Sequence, residues 1–92
     1  MEALPAVEQF KALGDPVRWA IVGELRSSTC CARRLADAVS VSPTLLSHHL
    51  KVLREAGLIE GKRRGRWIDY CVDETALVGL AGVLNGHSSA HR

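Results

Sequence analysis

The chain is 92 residues long, enough for one domain but a small core to bury alone, which favours a partner subunit. Apolar residues make up 47% and charged residues 24%, a balance that excludes a disordered chain, and no apolar run approaches the roughly 20 residues of a membrane helix. The net charge is only +2, yet residues 33–66 carry eight basic against three acidic side chains, a net +5 between ends that sum to −3, as for a nucleic-acid face on a body with other work to do. The N-terminus lacks the basic-then-apolar pattern of a secretion signal, so the expected location is cytoplasmic. There the three cysteines would be free thiols or metal ligands rather than a disulfide framework.

Val7, Phe10, Ala12 and Leu13 recur at helical spacing and predict a first helix over residues 6–13, ended by Gly14. Asp15-Pro16 reads as an N-cap followed by proline at the first helical position, where its missing N–H costs nothing. A second helix then runs from residue 16 to 25 or 26 with Val17, Ala20, Ile21 and Leu25 inward. After a polar loop, a third helix is expected over residues 32–38 with Leu35 and Val39 as apolar contacts, and Ser40-Val41-Ser42 turns into a fourth. Helix, short turn, helix is the spacing of a helix-turn-helix.

The fourth helix is the most specific part of the chain. Ser42 caps it, Pro43 opens it, Leu46, Leu50 and Leu53 line one face, and Gly57 stops it. With that face committed to the core, Thr44, Leu45, Ser47, His48, Lys51 and Arg54 are left outward. Hydroxyls and an imidazole near the helix N-terminus suit base edges, and Lys51 and Arg54 suit phosphates. His49 lies three after Leu46 and four before Leu53, so it belongs to the core as a hydrogen-bonded histidine, while His48 faces DNA.

Beyond Gly57 the period shortens to two. Residues 58–72 predict a β-hairpin with Ile68, Tyr70 and Val72 on one face and Arg63, Arg64 and Arg66 clustered round Gly65, a cationic wing for phosphate or minor-groove contact. Trp19 and Trp67 read as packing residues. Asp73 caps a last helix over residues 74–84, whose Ala76, Leu77, Leu80, Val83 and Leu84 are too apolar for solvent and suit a dimer surface shared with the first helix. Residues 85–92 form a polar tail.

These elements, with Phe10-Lys11-Ala12-Leu13-Gly14-Asp15-Pro16-Val17-Arg18, Leu35-Ala36, the run from Ser47 to Ile59, and Gly65-Arg66-Trp67-Ile68-Asp69-Tyr70, resemble the ArsR/SmtB family of bacterial winged-helix repressors over roughly residues 8–84. The resemblance implies a mostly α winged helix-turn-helix fold with a small β-hairpin, residues 1–84 serving both DNA binding and dimerisation. It implies a homodimer, joined through the first and last helices, on a double-stranded operator whose imperfect half-sites lie about one helical turn apart. In many members a metal or metalloid ends the binding. An enzyme is not expected: there is no phosphate-binding glycine loop, paired-carboxylate cleft or nucleophile-base set.

Cys30 and Cys31 fall where arsenic-responsive members of the family carry Cys-x-Cys, but only Cys31 matches, Arg33 holding the second position. In winged-helix folds the extended segment before the third helix pairs with the second wing strand, bringing residues 29–31 alongside residues 70–72. A regular strand there turns Cys30 and Cys31 to opposite faces, so that only one meets Cys71; a helix starting at Cys31 lets a Cys30, Cys31, Cys71 site converge. Thiolates suit As(III) first, with Sb(III), Cd(II), Pb(II) and Zn(II) as alternatives, as an inducer rather than a required cofactor. Two other readings stay open: a redox pair linking Cys71 to Cys30 or Cys31, and small apolar fillers with no sensing role. The family's other sensor site, carboxylates and histidines on the terminal helix, is incomplete here, leaving Asp73 and the tail residues His87 and His91.

Overall fold

The computed structural model describes residues 3–86. In chain order it contains α1 (Ala3–Leu13), α2 (Pro16–Ser27), β1 (Cys30–Cys31), α3 (Ala32–Val39), α4 (Pro43–Glu55), β2 (Ile59–Arg64), β3 (Trp67–Val72) and α5 (Glu74–Leu84). Among the described residues no helix is long and apolar enough to cross a membrane. His87 and His91 lie outside the described residues, as does most of the expected tail.

Side-chain caps set three helix starts. Asp15 Oδ1 accepts from the Val17 and Arg18 amides at 2.8 and 3.1 Å, Ser42 Oγ from Leu45 at 3.1 Å, and Asp73 Oδ1 from Ala76 at 3.0 Å. At the other end of α4, Gly57 takes φ 77°, and the Leu58 amide reaches back to the Leu53 carbonyl at 3.0 Å, closing the last turn. The α3–α4 turn passes through Ser40 in the left-handed region at φ 58°.

One core fills the space between the helices and the inner face of the sheet: Ile21, Val22 and Leu25 of α2, Leu35 and Ala36 of α3, Leu46, Leu50 and Leu53 of α4, Leu58, Ile59 and Leu80. Ala20, expected inward, is exposed, and Val22 takes its place. The buried stripe of α2 runs through Ile21, Val22 and Leu25, and Ala20 stands about 140° from its centre.

The three strands form an antiparallel sheet in the order β1-β3-β2. Cys30 lies opposite Tyr70 and Cys31 opposite Asp69; on the other edge Glu60 faces Cys71, Gly61 faces Tyr70 and Arg64 faces Trp67. Tyr70 and Val72 pack on the core, so the opposite face of β3, carrying Trp67, Asp69 and Cys71, looks outward. Gly61 has no room for a side chain: a Cβ there would come within 2.9 Å of Ile68 and 3.0 Å of the Tyr70 ring.

Candidate nucleic-acid interface and wing thiols

The sequence pattern of α4 is realised along its length. Leu46, His49, Leu50 and Leu53 are buried, while Thr44, Leu45, Ser47, His48, Lys51 and Arg54 are exposed on one surface. Lys51 lies 3.9 Å from Glu55 one turn on, an exposed contact that is weak and leaves the ammonium available.

His49 is only 6% exposed, and its Nδ1 lies 3.1 Å from Nη1 of Arg18. The same guanidinium donates through Nε to the Ala12 carbonyl at 2.6 Å, and Gln9 of α1 donates to the Ala56 carbonyl at the end of α4 at 2.9 Å. The recognition helix is therefore tied to α1 and α2 both at its middle and at its end. The sequence pattern places His49 in the core but assigns no contact to Gln9 or Arg18, since nothing in their spacing announces where a long polar side chain will reach.

In the wing, Arg63 and Arg66 are exposed. Arg64 is exposed as well but makes a two-pronged pair with Asp69, Nε to Oδ2 at 2.5 Å and Nη2 to Oδ1 at 3.1 Å. The pair pushes the guanidinium pKa up and holds the Asp69 carboxyl below its ordinary value. Two of the five guanidinium donors are spent inside the wing, so Arg64 has fewer left for a partner than its neighbours. The two tryptophans are not packed as expected: Trp19 is 66% and Trp67 51% exposed. Each instead borders an apolar groove. Trp67, Ile68, Arg66 and Tyr70 of the wing face Pro43 and Ser47 of α4 across a groove of about 630 Å³, and Trp19 flanks a groove of about 540 Å³ between α1, α2 and α5 with Phe10, Val22, Leu77 and Leu84.

The three sulfurs do not converge. Cys31 is the N-cap of α3, but the backbone through Cys30 and Cys31 stays extended and paired with β3, so the two side chains point to opposite faces. Cys30 turns to the core side with Tyr70, its Sγ donating to the Cys31 carbonyl at 3.4 Å, and burial pushes its thiol pKa up. Cys31 shares the outer face with Asp69 and, one diagonal step further, Cys71. Among the described residues no three thiol, imidazole or carboxylate groups gather as a metal would require. Of Cys30, Cys31 and Cys71, the strand pairing places Cys31 and Cys71 on one face and Cys30 on the other. All three thiols are free and half-buried.

A short helix leading by a tight turn into a capped, outward-reading helix, followed by a basic hairpin, makes this a winged helix-turn-helix protein. Residues 15–61 match the family model described as bacterial regulatory protein, arsR family. The chain belongs to that family. It is 48% identical over 65 residues to the HTH-type transcriptional repressor SmtB of Mycobacterium tuberculosis, an alignment covering 71% of this chain and 48% of SmtB, so the chain spans about half the length of that relative. It is 37% identical over 75 residues to the arsenical resistance operon repressor of Bacillus subtilis, covering 79% of this chain and 70% of that one. Among solved structures, the homodimeric winged helix-turn-helix DNA-binding domain Mb0332 of Mycobacterium bovis superposes with a TM-score of 0.76 at 25% identity, covering 96% of this chain and 85% of that one.

Proposed function

We propose that this chain is a homodimeric transcriptional repressor that holds duplex operator DNA through Thr44, Ser47, His48, Lys51, Arg54 and the wing residues Arg63, Arg64 and Arg66, and releases it when a soft metalloid, As(III) foremost, binds cysteine thiolates. The observation that carries the DNA reading is the exposed face of α4, where the hydroxyls, imidazole and cations all lie on the side left open by the burial of Leu46, His49, Leu50 and Leu53. Dimerisation is supported by the apolar surface of α1, α2 and α5, where Val78 is 68% and Leu84 73% exposed, and by the homodimeric relative. Two such subunits place their recognition helices in successive major grooves.

For the inducer, thiolate chemistry and the arsenical repressor relative support As(III). The thiol pair that can act together is Cys31 and Cys71; Cys30 would join only if the two-residue β1 turned over. Cys31 begins the helix that supports α4, so drawing it along β3 toward Cys71 would disturb the seat of the recognition helix. A ligand releases DNA only by favouring a conformation that binds it less well, and this is such a displacement. The shared outer face also supports an oxidative variant of the same response, a Cys31 to Cys71 disulfide.

The test is fluorescence anisotropy on a duplex selected from a random library, over a salt series and with arsenite. The expected results are steep loss of affinity with salt, release by arsenite, and loss of that release in Cys31→Ser and Cys71→Ser. Unchanged affinity at saturating arsenite would remove the metalloid reading and leave the repressor; mass spectrometry after mild peroxide treatment then checks the disulfide.

A further inference from the structure

His49 is the single buried polar residue among the described residues, set in a helix face that is otherwise leucine. Its partner restricts its chemistry. A guanidinium only donates, so His49 Nδ1 must accept from Arg18 Nη1, which requires a neutral imidazole carrying its proton on Nε2. Protonation at Nδ1 would set two donors and two positive charges 3.1 Å apart, with the imidazole itself largely withdrawn from solvent. Arg18 is not free to withdraw, because its Nε is anchored to the Ala12 carbonyl of α1. The strain of a charged His49 therefore falls on the position of α4.

We propose that His49 is a positioning residue that keeps the recognition helix in its DNA-reading seat only while its Nδ1 is unprotonated, so that proton uptake at His49 weakens duplex binding. This rests on the DNA-binding reading and adds a control to it.

The charged surroundings pull both ways. Asp15, the strongest of them, favours a proton on His49, although its Oδ1 already accepts from the Val17 and Arg18 amides, while Arg18 of α2 and His48 of α4 oppose one. From α1 and the far end of α4, Glu8, Lys11 and Glu55 line, together with Arg18, a cavity of about 370 Å³. Burial is the largest influence and holds the imidazole pKa below its ordinary 6.5. A histidine depressed in this way contributes its full share of stability above pH 6.5 and loses it as the pH falls below that value.

The experiment is anisotropy on the selected duplex with the full chain from pH 8 to pH 5 at constant ionic strength, in a His48→Asn background that leaves His49 the one imidazole of α4, with circular dichroism at each pH. Affinity should fall as the pH drops through the lowered His49 pKa, below 6.5, toward a limit of about tenfold per pH unit, one proton being taken up on release. His49→Leu, which strands Arg18, should bind weakly at every pH. His49→Asn restores an acceptor near the Nδ1 position that cannot be protonated; it should recover most of the affinity lost in His49→Leu and bind with a flat pH profile. A folded His49→Asn protein that keeps the sloping profile overturns the inference. Should that variant fail to fold, an NMR titration of the His49 ring nitrogens decides: affinity that does not track the protonation of Nδ1 overturns it equally. A chain that binds no duplex at pH 8 overturns the DNA reading itself, a different outcome from binding with an unaltered pH profile.

Discussion

The recognition helix and the wing sheet are built from similar polar residues and held by different means. In α4 the outward face is fixed by the helical period, since once Leu46, Leu50 and Leu53 are committed to the core every other position follows. In the wing, faces depend on register between strands from distant parts of the chain, and a shift of one residue would exchange Cys30 for Cys31 on the outer surface. An element that carries its own ruler can be read from one end to the other. An element that borrows its ruler from a distant partner cannot.

That contrast can be broken most forcefully in the core. Leu53 is fully buried, so Leu53→Ala should cost about 2–5 kcal/mol in urea unfolding, whereas Trp67→Ala, at a half-exposed site, should cost far less. Equal losses would mean that the wing is as much a part of the folding unit as α4. At the interface, His48→Ala should lose about 1–3 kcal/mol of discrimination at one base pair, while Arg63→Ala should weaken all duplexes alike and lower the salt slope by about 1. A His48→Ala protein that binds every sequence equally less well would reassign His48 to the DNA backbone. The smallest effect is expected at Asp69. Arg64 holds the Asp69 carboxyl below its ordinary pKa of 3.8, so the pair's contribution is present above that value and lost as pH falls through the lowered one. Asp69→Asn should therefore be slightly less stable than the parent at neutral pH, and the two acid-unfolding curves should converge once the pH has fallen through the lowered Asp69 pKa; the exposure of the pair keeps the gap small.

Local chemistry was the legible part. Asp15, Ser42 and Asp73 each announce a helix start, and each makes the cap hydrogen bond that its type and position imply. The order of elements, the core face of α4, the burial of His49 and the basic hairpin were readable for the same reason. Ala20 misled because it is apolar and falls near the right spacing, yet Val22 offers more surface to bury on the adjoining flank of α2. Trp19 and Trp67 misled because their bulk suggests a core, while in the single chain they stand at the edges of grooves. The thiols and the Arg64–Asp69 pair depended on strand register. Arg18 depended on the reach of a flexible side chain between helices, which has no period at all.

The bare backbone at Gly61, pressed beneath Ile68 and the Tyr70 ring, bears on how this wing could be exchanged with that of a relative. A transplant limited to the arginine tip would leave the contact intact and alter only what meets DNA. One that brought a larger residue to position 61 would also need smaller side chains at positions 68 and 70. The three positions form a unit of inheritance: a hybrid that separates them would force the Ile68 and Tyr70 side chains out of their present places.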